Sequence, residues 1–215
     1  MKNTCLLVLI LIYLNFPTLA QSGSLDLPSS THGLSLGNSV NFTGWRFNIF
    51  DNDVDTINGL NFTLIGNPHD PEYSAKTVNG FALGWEPTAN VHNGFSLAGY
   101  QVTSNRINGV AFGAYGIETF EALQGLAIGG LYVGGHNSLI QGVALSGLWT
   151  GGADTTLEGL AIGSINITEK TNGLQIGLFN RTDELNGLQI GILNYAGNNT
   201  TGFKLMPGLN AHFSF

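Results

Sequence analysis

Cysteine is almost missing from this chain. The single residue, Cys5, precedes the first apolar run, whereas a lipid-bearing cysteine would have to follow such a run. Neither a disulfide framework nor a lipoprotein anchor is therefore expected. Charge is scarce too, at 10% of 215 residues, and basic residues are scarcest: beyond Lys2, six stand against fourteen acidic ones, a net charge of −8. That excludes the basic patch that grips nucleic acid or an anionic membrane surface, so no nucleic-acid partner is expected. Long hydrophobic runs are absent as well. Leu6 to Leu14 is apolar, but it falls short of the roughly 20 residues of a membrane-spanning helix.

That short run has another reading. Lys2 supplies a positive start, Leu6 to Leu14 an apolar middle, and Thr18-Leu19-Ala20 a small-residue cleavage site before Gln21. Residues 1–20 read as a signal peptide, and the chain as an exported one. Residues 21–43 read as a polar leader, flexible over Gln21 to Ser30, with Gly33-Leu34-Ser35-Leu36-Gly37 as an N-terminal cap. Residues 44–215 form a single repeat domain. Apolar residues are plentiful, 43% of the chain, which argues against disorder.

What the chain does have is glycine, 31 residues, and it is periodic. The phrase Gly173-Leu174-Gln175-Ile176-Gly177-Leu178-Phe179-Asn180 returns 14 residues later as Gly187-Leu188-Gln189-Ile190-Gly191-Ile192-Leu193-Asn194. Related copies begin at Gly159 (with Leu160 and Ile162), Gly125, Gly109 and Gly80, and looser ones at Gly142, Gly94, Gly59, Gly44 and Gly202. Tandem copies of this length mark a repeat architecture. Within a copy the apolar residues recur at a spacing of two, interrupted by threes, as in Val110, Phe112, Tyr115, Ile117, Phe120 and Leu123. Twos are strands with one buried face and threes are corners. This reading assigns positions two and four of each copy to the core, and glycines at positions one and five to corners needing positive φ.

The fold class is therefore all-β, built of tandem 14–17-residue strand repeats, with a β-solenoid favoured. The alternative is an antiparallel outer-membrane-type β-barrel of about 12 strands. The single repeated phrase, and intervals with no long–short alternation, support the solenoid. The amphipathic end Pro207 to Phe215, alternating and closing on Phe, supports the barrel, or else a capping strand. Asn67 to Ser74, with two prolines, reads as a loop leaving the sheet.

Candidate chemistry is thin. Ser35 sits in a G-x-S-x-G pattern that lacks the strand–turn–helix setting of a nucleophile elbow. Asp51, Asp53 and Asp55 alternate as in calcium loops, yet Thr56 and Phe62 occupy the positions where Gly and Glu would stand, leaving at most a weak metal site. The five histidines are scattered. No catalytic group and no cofactor site is expected. Asn-x-Thr occurs at Asn41, Asn61, Asn166, Asn180, Asn198 and Asn199; Asn166, Asn180 and Asn194 share one repeat position and are expected to stack as a hydrogen-bonded ladder. Trp85, Tyr100, Tyr115, Tyr132, Trp149 and Tyr195 fall late in their repeats and are expected to line one edge, a candidate contact stripe.

The two phrases at Gly173 to Asn180 and Gly187 to Asn194 resemble the tandem G-L-Q-I-G-L-x-N units of bacterial surface-repeat proteins. Gly44-Trp45-Arg46-Phe47-Asn48-Ile49 resembles that family's early G-L-R-L-N repeat, and Phe213-Ser214-Phe215 its C-termini. The resemblance implies export to the cell surface or outer membrane of a Gram-negative-type bacterium, and brings no known activity. Together the sequence points to a non-enzymatic scaffold or contact protein with an envelope or extracellular partner. A small barrel with a structural or passive transport role is the alternative.

Overall fold

A computed structural model describes residues 23–67 and 71–214; the expected signal peptide lies outside the described residues. Among these, fifteen strands form one continuous sheet that winds as a β-solenoid. From His32–Gly37 to Phe179–Ala196, each coil pairs in parallel with the next. Parallel pairing between successive repeats removes the barrel alternative, whose neighbours would alternate in direction. Antiparallel strands close the rod at both ends. Ser24–Pro28 pairs with His32–Gly37, and Leu205–His212 pairs with the last coil. Ser24–Pro28, inside the stretch expected to be flexible, is thus a capping strand.

Eleven glycines stack in one register column: Gly33, Gly44, Gly59, Gly80, Gly94, Gly109, Gly125, Gly142, Gly159, Gly173 and Gly187. All have φ between +113° and +150°, and from Gly44 onward a Cβ would overlap the carbonyl oxygen of the preceding coil's glycine. Both conditions admit glycine alone. Gly202 does not join the column; it lies in the turn before the antiparallel cap. Gly33 does join, so Gly33 to Gly37 is the first copy of the stack, and the capping strand is Ser24–Pro28. At position five, Gly163, Gly177 and Gly191 lack positive φ. There a Cβ would crowd the preceding coil's backbone or hydroxyls and the Asn166, Asn180 and Asn194 side chains.

The core corrects the sequence reading. Positions two and four face outward, and position three faces inward: Ser35, Arg46, Asn61, Ala82, Ser96, Ala111, Ala127, Ala144, Ala161, Gln175 and Gln189 are all buried. A second inward column, two residues ahead of each glycine, includes Ile57, Val78, His92, Ile107, Leu123, Ile140, Leu157 and Leu185. A third runs through Val102, Ile117, Val133, Thr150, Asn166 and Asn180. Period two fixes which residues share a face but not which face is inside. From Ala82 to Ala161 position three holds only alanine or serine, so there the small residues go in and the large ones are left out; toward the ends it holds Arg46, Asn61, Gln175 and Gln189.

Position three is small in the middle of the rod and polar toward both ends. In the early coils the Arg46 guanidinium donates to Asp51 (2.6 Å), Asn61 (2.8 Å) and Asn38 (3.0 Å). Gln189 donates to Gln175 at 2.8 Å near the other end. The described part of the Asn67–Ser74 insertion ends in one helical turn, Pro71–Ser74, packed against Thr88–Ala98.

Candidate functional site

Two outward columns define the most unusual surface of this molecule. Position two carries Leu34, Trp45, Leu60, Phe81, Phe95, Val110, Leu126, Val143, Leu160, Leu174 and Leu188; position four carries Leu36, Phe47, Phe62, Leu83, Leu97, Phe112, Ile128, Leu145, Ile162, Ile176 and Ile190. The parallel register aligns each with its counterpart in the next coil. None of the twenty-two is buried, and Trp45 is 64% exposed. From each column glycine to the following corner the one charged residue is Arg46, and it points inward. The face is an uncharged apolar strip about 50 Å long, at about 4.8 Å per coil. Soluble monomers rarely expose more than a few hundred Å² of contiguous apolar surface.

Amides mark one border. Asn79 donates to Asn58, Asn93 to Asn79 and Asn108 to Asn93, at 2.7–2.8 Å. Gln124 donates to Gln141 and Gln141 to Glu158, at 2.6 and 2.7 Å. These residues immediately precede the column glycines. Cations lie beyond them in ion pairs: Lys76 with Asp55, Arg106 with Glu121, Lys170 with Glu184 and Arg181 with Asp183.

Of the aromatic residues expected on one edge, Trp85, Tyr100 and Tyr115 stack on each other, with centroids 6.2 and 4.9 Å apart. They extend the apolar face past its corner, in line with exposed Leu131 and Leu148. Tyr132 and Trp149 pair with each other one column further on. Burial and the charges of Glu118 and Tyr115 push the Tyr132 phenol up to about 12. Tyr195 lies under Arg181 at 5.7 Å. The stripe is therefore two stripes.

Most of the other candidates have structural partners. Asp51 is buried and held by Arg46 and Thr63, Asp53 is exposed at φ 51°, and Asp55 faces Lys76. The three carboxylates diverge, and no group of metal-ligating side chains occurs among the described residues. Ser35 is buried and bonded to Ser39 at 2.8 Å. Asn166, Asn180 and Asn194 stack as a buried ladder, and Asn61 is buried as well. His92 was not singled out in the sequence. It is buried in the apolar column between Val78 and Ile107, without a partner for either ring nitrogen among the described residues, and burial lowers its pKa to about 4.

The arrangement defines a capped β-solenoid with one apolar face. No protein-family model matches the chain, and comparison with curated proteins and with solved structures returns no match.

Proposed function

We propose that this protein is a non-catalytic, exported contact protein of the bacterial surface or outer membrane, and that the strip of positions two and four is where it makes contact. The uncharged outward face carries this reading. Twenty-two outward positions hold only apolar side chains, while the ion pairs collect elsewhere. A surface selected for solubility alone would mix charge into it. The leader-like residues 1–20 and the resemblance to surface-repeat proteins support export. Asp51 and Ser35, which could have served chemistry, are engaged in structural bonds with Arg46 and Ser39.

The test is fractionation of the expressing cell, with surface protease as a probe, beside a variant carrying Leu97→Glu and Leu145→Glu. Recovery from the surface or outer-membrane fraction, lost or weakened in the folded double variant, supports the reading. A wild-type protein that stays in the cytoplasm, or a variant that behaves identically, overturns it.

A further inference from the structure

We infer that the occupant of the apolar face is a second copy of this chain, docked face to face with the two rods antiparallel. The inference rests on the face being a contact surface.

The bulk along the face is uneven in a particular way. All six aromatic side chains of the two columns, Trp45, Phe47, Phe62, Phe81, Phe95 and Phe112, lie in coils two to six of the eleven. Coils seven to eleven carry only Leu, Ile and Val, from Leu126 to Ile190. Two copies related by a two-fold axis along the rod would put thick end on thick end and leave the thin ends apart. A two-fold axis along the strand of the middle coil, at Val110 and Phe112, reverses one rod against the other. Position two then meets position two and position four meets position four. Trp45 faces the partner's Leu174, Phe47 the partner's Ile176, Phe62 the partner's Ile162, Phe81 the partner's Val143 and Phe95 the partner's Leu126. Every aromatic except Phe112, which lies on the axis, meets an aliphatic side chain, so the summed thickness stays even. Even filling is what close packing requires, and an isologous two-fold contact is the commonest way for a protein to meet itself.

The area suffices. Two outward residues of one strand lie about 7 Å apart; with their own width they make a strip about 12 Å by 50 Å, roughly 600 Å² per copy. The total, about 1,200 Å², is at the lower limit of stable interfaces. Both copies share the same coil spacing, so the ladders stay in step along their whole length. Charge is compatible with this contact, because neither strip carries any. A lipid bilayer suits the face less well. Its Asn and Gln border offers headgroups no cation, and five of the six cations beyond Lys2 are in ion pairs.

The experiment uses the protein recovered after export, in a Cys5→Ser background, with sedimentation equilibrium for mass and a short bis-maleimide to read orientation. The expected result is a dimer in which Phe112→Cys links to itself. Trp45→Cys alone does not link to itself, but links to Leu174→Cys when the two variants are mixed. Glu121→Cys, outside the face, does not link. Phe95→Glu, which keeps its strand spectrum, weakens the dimer about 100-fold or more, as loss of a central anchor does. A dimer in which Trp45→Cys links to itself overturns the antiparallel arrangement. A monomer that binds neutral phosphatidylcholine vesicles through the same face overturns self-association and leaves the contact-surface reading standing. A monomer that binds neither overturns both.

Discussion

The carboxamide nitrogen of Asn166 lies 2.7 Å from the carboxamide oxygen of Asn180, one coil further on, and both side chains are wholly buried. Asn180 in turn donates to Asn194 at 2.7 Å and to the Ile190 carbonyl at 2.9 Å. Each amide satisfies the next, so an inside made of polar groups holds where isolated ones would not. Asn180→Ala leaves the Asn194 acceptor without its partner and opens a gap. A destabilisation of about 3 kcal/mol is expected by urea titration, and a loss below 1 kcal/mol would show that the ladder contributes little.

Two glycines separate backbone strain from close approach. Gly142 combines φ +129° with a carbonyl oxygen of the neighbouring coil where a Cβ would go, whereas Gly202 has φ +102° and open space around it. Gly202→Ala should cost about 1–2 kcal/mol, from strain alone. Gly142→Ala should cost at least about 3 kcal/mol, since two coils must also move apart. Thermal melts of equal size for both would mean that the column is not close-packed.

His92 gives the fold a pH dependence of definite sign. Its folded pKa, about 4, lies below the unfolded value of 6.5, so between these values the unfolded chain holds the extra proton. Stability is complete above pH 6.5 and falls as the pH drops toward 4, by roughly 3 kcal/mol from this residue. His92→Leu should flatten that window and raise stability at pH 7 by about 1 kcal/mol, because Val78 and Ile107 offer the imidazole nothing. Parallel pH profiles of the two proteins would contradict this.

Arg46 and Asp51 are both buried and 2.6 Å apart. Removing one charge strands the other, so Arg46→Met should destabilise by about 3–5 kcal/mol. Adding Asp51→Asn should recover part of that loss in the same chemical melt. A double variant no better than the single would show that Asp51 does not depend on Arg46.

How much of this was legible in the sequence follows from what each signal carries. The parallel pairing that removes the barrel shows only in the fold. Glycine recurrence and period two specified strand repeats and favoured a stacked rod over a barrel, because a column needing positive φ and carbonyl contact admits only glycine, as at Gly142 and its counterparts. The Asn166, Asn180 and Asn194 alignment was visible for the same reason. The inside was read backwards. Leu160 and Ile162 are more hydrophobic than Ala161, and hydrophobicity alone sends them inward. The parallel register reverses that order: Ala161 is buried and Leu160 and Ile162 face outward. The aromatic edge was overdrawn because Tyr132 and Trp149 are one column away from Tyr115, a displacement that repeat counting does not resolve. His92 sits in an apolar column that becomes apparent only once Val78 and Ile107 are paired across coils.

The most direct measurement compares two neighbouring substitutions, Leu160→Asp and Ala161→Asp, by circular dichroism and thermal melting. With Leu160 outward and Ala161 inward, Leu160→Asp keeps its strand spectrum and a cooperative melt, while Ala161→Asp buries a charge in mid-rod and loses both. The reverse result, a folded Ala161→Asp and an unfolded Leu160→Asp, would put the large side chains inside and remove the apolar face altogether.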